Sequence, residues 1–258
     1  HLLTANPNMD IIDMHFADPS KLDSYSKGKA PAVIANHEKV ADYYGVNSID
    51  LAKEVTERIH AGEFSWDKDF KDLHPAPFGH KIYAATIGRL LDAAWAAPLT
   101  ADAKIIPHAI KEQPLDAASY YNGCLVSVKA AELGNGWAYT DKWNPNDGKE
   151  TRPGFVDVPA VVSKTPGATL KFAFEGTAVG LFIASGPDTG DIEYSIDSGD
   201  FVKKSLFTPW SPSLHLPWAQ VLTAGFSSGK HELTLKVSAD KDPKSNGNAV
   251  NIIHFLVN

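Results

Sequence analysis

Apolar positions along the chain follow two rhythms, and the change comes near residue 98. Up to about Ala97, short apolar runs alternate with stretches in which apolar residues recur every three or four positions, as strands followed by amphipathic helices do. Ile11–Phe16 reads as a buried strand closed by Asp18-Pro19. Pro31 opens a helix with Val33, His37, Val40 and Tyr44 on one face, and Gly45 takes the left-handed position after it. Val46–Leu51 is a second short strand that runs into a helix with Leu51, Val55 and Ile59 inward and Gly62 beyond. A third helix begins near Pro75 and turns Tyr83, Ile87, Leu90, Leu91 and Ala94 to the core. The order β-α-β-α-loop-α is that of a doubly wound parallel α/β sheet. It is only part of one, because such sheets hold more strands than two.

Residues 98–114 are polar, irregular and rich in Pro and Ala, and read as a linker. From 115 to 258 the rhythm is that of an all-β domain, with short β-prone runs separated by Gly, Pro, Asp and Asn. The runs are Cys124–Ala130, Phe155–Val162, Thr169–Phe174, Val179–Ala184, Ile192–Ile196, Phe201–Leu206, His231–Val237 and Val250–Val257. Leu170, Phe172 and Phe174 alternate, as do Leu233, Leu235 and Val237, so each of these strands buries one face. This spacing predicts a β-sandwich of jelly-roll type. The expected division is therefore 1–97 for the α/β part, 98–114 for the linker and 115–258 for the β domain.

Composition narrows the partners. With 43% hydrophobic and 21% charged residues the 258-residue chain can bury a substantial core, and its net charge of −7 leaves no basic cluster for nucleic acid or an anionic membrane. Cys124 is the one cysteine, which excludes an internal disulfide and a cysteine-rich zinc site. The ten histidines show no zinc-ligand spacing such as HExxH, so no metal and no cofactor is expected. His37, on the apolar face of its helix, reads as a core histidine.

The chemistry converges on Asp72-Leu73-His74-Pro75. Pro75 suits the first turn of the following helix, which sets His74 near its N-cap at the ligand-binding edge of an open α/β sheet. An imidazole there can take a proton from a serine hydroxyl and return it to a leaving alcohol, provided a carboxylate fixes its tautomer. Asp72 is the nearest carboxylate.

The run from Phe70 to Ala84 resembles the last block of the SGNH/GDSL esterase superfamily, in which an Asp-x-x-His-Pro motif supplies the acid and base of a Ser-His-Asp triad before a helix. His15-Phe16-Ala17-Asp18 takes the place of that family's Gly-x-Asn-Asp block. The resemblance covers about residues 8 to 97, the C-terminal part of such a hydrolase domain. It implies His74 as general base and acid, Asp72 as its orienting carboxylate, and His15 and Asp18 as walls of the cleft. The chain departs from the pattern in three places. Lys71 stands three residues before the histidine, Ala17 stands where the oxyanion Asn belongs, and no Gly-Asp-Ser nucleophile block is found. The nucleophile serine is therefore expected upstream of His1, in the N-terminal part of the same hydrolase domain, and these residues alone are expected to be inactive.

In the β half, Trp210, His215 and Trp218 fall in proline-rich segments where aromatics can stack on sugar rings and His can bond hydroxyls. This half resembles the jelly-roll domains attached to SGNH-type carbohydrate esterases. The implied function is a serine esterase that deacylates, most simply deacetylates, a carbohydrate, which suits a periplasmic or extracellular setting. The alternative is a non-catalytic carbohydrate-binding protein whose α/β half is a degenerate support.

Overall fold

The computed structural model describes residues 1–258, which form two compact units, His1–Ala117 and Ala118–Asn258. In the first unit a four-residue helix α1 (Leu2–Ala5) precedes strand β1 (Ile12–Met14). Helices α2 (Pro19–Ser26) and α3 (Ala32–Tyr44) lead to strand β2 (Asn47–Ile49), which pairs with β1 in parallel. Helix α4 (Leu51–His60), a π-type turn over Trp66–Phe70 and helix α5 (Pro77–Ala94) follow. The parallel pair and helices α3, α4 and α5 lie near the expected positions, α1 and α2 are additional to the expected order, and the sheet here consists of two strands.

Local chemistry sets the boundaries. Asp18 extends no strand but caps α2, accepting from the backbone N–H of Ser20 at 2.9 Å and of Lys21 at 3.0 Å, with Pro19 at the first helical position. Asp50 caps α4 through Lys53 N–H at 2.9 Å. Gly45 ends α3 at φ +65°, which a Cβ would resist.

The inner face of α3 is one position away from the expected one. Ile34 and Ala41 are buried, while Val33 and Val40 are each 48% exposed. A step of one residue turns a helix by about 100°, and the larger Ile34 wins the place against Leu51, Val55 and Phe70 in the core. His37, carried on the outward side, is not a core histidine: its side chain is 54% exposed.

Residues 98–114 have no helix or strand, but they are tied to the first unit. His108 donates its backbone N–H to Pro7 O at 2.8 Å, and the Tyr43 hydroxyl donates to Gln113 O at 2.9 Å. No helix of the protein is long and apolar enough to cross a membrane.

The second unit is a curled antiparallel sheet. Strands β3 (Cys124–Ser127), β4 (Ala131–Leu133), β5 (Trp137–Trp143), β6 (Val158–Ser163), β7 (Thr169–Ser185), β8 (Asp191–Ile196), β9 (Val202–Ser205), β10 (Leu216–Val237) and β11 (Val250–Val257) pair in the order β5-β6-β11-β7-β10-β8-β9. β3 also pairs with β11, and β4 with β7. The two runs expected at 169–174 and 179–184 are one strand, and β10 starts 15 residues before the expected His231. Bulges after Val221 and Ala224 let β10 bend along β7, which is how a single ladder curls.

Burial follows the bend. The first half of β7 alternates, with Leu170, Phe172 and Phe174 inward, and its second half from Ala178 to Ser185 is covered on both faces. One face meets the main core, where Phe172 stacks on Phe255 at 3.9 Å; the other meets Trp143, Ala160 and Ile253.

Candidate active site

The segment that carries His74 is anchored at both ends. Phe70, fully buried at the end of the π-type turn, packs its ring edge-on to Tyr83 of α5 at 5.4 Å. The Tyr83 hydroxyl in turn accepts the backbone N–H of Ala17 at 3.0 Å, just past β1. Loop 71–76 runs from Phe70 to the start of α5 and is tied, through Tyr83, to Ala17 beyond β1. It closes by Ala76 N–H donating to Phe70 O at 3.0 Å, and a Cβ on Gly79 would strike Pro75 at 2.5 Å.

Lys71 opens the loop at φ +76° and ψ −43°, a region costly for a residue with a Cβ. That twist presents Asp72 to the two residues after it. Asp72 Oδ1 accepts the His74 backbone N–H at 2.8 Å and lies 3.2 Å from His74 Nδ1. The backbone hydrogen bond first, and the imidazole second, hold the Asp72 carboxyl below its usual range. With Nδ1–H donating to the carboxylate, Nε2 is the free acceptor, which is the tautomer a general base needs. The His74 side chain is 89% exposed. In water such a pair orients the ring rather than adding measurable stability.

His15 and Asp18 do not form an open wall. His15 is buried and its Nε2 lies 2.6 Å from Glu38 Oε1. Asp18 is occupied in capping α2 and pairs with the Lys21 ammonium at 2.9 Å. Ala17 has its backbone donor engaged by Tyr83.

In the second unit Trp210 is 52% exposed and its ring lies 5.4 Å from that of Trp218. Trp218 belongs to β10 and packs partly against the main core, so it is not a loop residue. His215 is buried and gives no surface to a sugar. Its Nε2 meets Asp147 Oδ2 at 2.8 Å, and its ring stands edge-on to Trp143 at 5.7 Å. The loop that presents Trp210 is pinned by buried hydroxyls: Ser211 Oγ accepts the Thr208 N–H at 2.9 Å and bonds Ser185 Oγ at 2.7 Å. An apolar cavity of about 300 Å³ lies elsewhere in this unit, lined by Cys124, Val179, Ala219 and Leu256 among others.

No protein-family model and no curated protein sequence matches the chain. Among solved structures it is similar to the crystal structure of a two-domain esterase (CEX) active on acetylated mannans, at TM-score 0.67, 13% identity and 95% of this chain covered. The same esterase co-crystallized with mannopentaose matches at TM-score 0.67 and 12% identity. The chain spans 61–62% of the length of these structures. At this identity the likeness is one of fold.

Proposed function

We propose that this chain is the His- and Asp-bearing part of an SGNH-type serine esterase that removes acyl groups, acetyl foremost, from a carbohydrate. The observation that carries the reading is the Asp72–His74 pair, with Nδ1 3.2 Å from the carboxylate and the ring open to solvent. His74 Nε2 takes the proton of a serine hydroxyl as that oxygen attacks the ester carbonyl, and returns it to the departing sugar alcohol. Asp72 holds the ring and stabilises the imidazolium. In this reading the serine and the oxyanion donors belong to the N-terminal part of the same domain, which lies outside these 258 residues. The fold likeness to an esterase active on acetylated mannans supports an acetylated polysaccharide as the substrate class. A polymer substrate of that size argues for action outside the cytoplasm.

The test is acetate release from acetylated mannan by the chain extended upstream through a Gly-Asp-Ser block. His74→Ala is expected to lower kcat by about 10³-fold or more, and the 258-residue chain alone to give no turnover. Unchanged turnover in His74→Ala would remove the assignment.

The capture of the Ala17 N–H by Tyr83 and of Asp18 by α2 favours a second reading, a non-catalytic carbohydrate-binding protein. Glycan binding lost in Trp210→Ala, without ester cleavage by the extended chain, is its expected result.

A further inference from the structure

Asp13 and His15 stand two residues apart, so they project to the same side of the chain at β1. His37 reaches them from α3, with its Nδ1 3.9 Å from Asp13 Oδ2 and its ring centroid 5.8 Å from that of His15. One ligand atom from each of the three lies within 4.8 Å of the others. His15 is buried and already oriented: Glu38 Oε1 holds its Nε2 at 2.6 Å, while Glu38 Oε2 accepts the Ser48 hydroxyl at 2.9 Å. That leaves Nδ1 as the available nitrogen. A carboxylate on the far nitrogen of an imidazole is the support that metal-bound histidines have, because it fixes the tautomer and raises ligand basicity.

We propose that Asp13, His15 and His37 form a binding site for a divalent transition-metal ion, with Zn²⁺ as the best match. Two imidazoles and one carboxylate are a ligand set that zinc accepts with a fourth position left to water. Bonds of roughly 2.0–2.2 Å at tetrahedral angles place donor atoms about 3.3–3.6 Å apart. Closing the cluster therefore asks for a shift of little more than about an ångström at its widest; Asp13 and His37 are already 3.9 Å apart, and theirs are the exposed side chains that can move toward the buried His15. The site owes nothing to the esterase reading, since neither Asp72 nor His74 takes part in it.

The experiment is Zn²⁺ titration of the full chain against a chromophoric competing chelator, repeated with Co²⁺ to read its ligand-field spectrum. One ion per chain is expected. Asp13→Asn and His37→Ala should each weaken it by more than about tenfold, and Glu38→Gln by about 10–100-fold. His231→Ala, which alters a His–Asp pair in the other unit, should bind as the parent does. Asp13 and His37 are both on the surface, so their variants keep the fold, which far-UV circular dichroism verifies. Absence of saturable binding, or equal affinity in Asp13→Asn and His37→Ala, overturns the site.

Discussion

The Asp18 carboxylate serves the backbone of α2, and its titration should be visible in stability. Partial burial, which raises its pKa, is outweighed by hydrogen bonds from Ser20 and Lys21 and by the Lys21 ammonium, and the pKa falls to about 2. In the unfolded chain an Asp titrates at about 3.9. The folded value is the lower one, so the stabilisation is complete above pH ~4 and is lost as the pH drops through about 2. Asp18→Ala should cost about 1 kcal/mol at neutral pH, read from urea midpoints, with the gap between variant and parent narrowing from pH ~4 to ~2. A pH-independent gap would dissociate the cap from the ionised carboxylate. Site residues were legible in the sequence where their partners are close along the chain. Asp72 and His74 are two apart, and the tetrapeptide alone suggests the contact. The Glu38 that holds His15 is 23 residues away and the Asp147 that holds His215 is 68 away, so burial of these histidines needed the fold. The Asp13, His15 and His37 cluster escaped spacing rules for the same reason, because its third ligand comes from another element.

At the scale of elements, alternation gives the buried faces of β7 and β10 faithfully, while the strand lengths and the whole of β4 and β5 fall outside the expected runs. Gly176 falls in the gap between the two expected strands, and Gly180 inside the second of them. In the structure they are continuous β7 at places where another backbone comes too close for any side chain. A Cβ on Gly180 would collide with the Gln220 carbonyl oxygen and lie 3.0 Å from Val221 Cα, both in the paired β10 backbone, which cannot yield as a side chain would. Gly180→Ala should therefore destabilise by about 1–3 kcal/mol. Gly88, in α5 with no atom near its would-be Cβ, gives the opposite sign: Gly88→Ala should stabilise by about 0.5–1 kcal/mol. Chemical denaturation of the two variants decides the matter, and a neutral Gly180→Ala would mean that β10 is freer to move than its pairing implies. The phase of α3 was misread because its apolar residues Val33, Ile34, Val40 and Ala41 serve two adjacent stripes equally well. Only the position of the core selects between them.

For the whole molecule, the chain divides into two compact units after Ala117, and residues 98–114 are pinned to the first. Their cores share no residue. The first has ten buried apolar members around Phe70, Val55 and Leu51. The second has 21 around Phe172, Leu181 and Phe255, besides a smaller cluster on the other face of β7. Hydrophobic stabilisation scales with apolar area removed from water, so the unit with the larger core should melt at the higher temperature. Differential scanning calorimetry is thus expected to show two transitions. Phe70→Ala should remove about 3–5 kcal/mol from the lower one alone, and Phe172→Ala a similar amount from the upper one alone. Both transitions moving together in either variant would show that the two cores fold as one cooperative body. A selective response would instead allow Asp72–His74 chemistry to be lost on heating while the Trp210 surface persists.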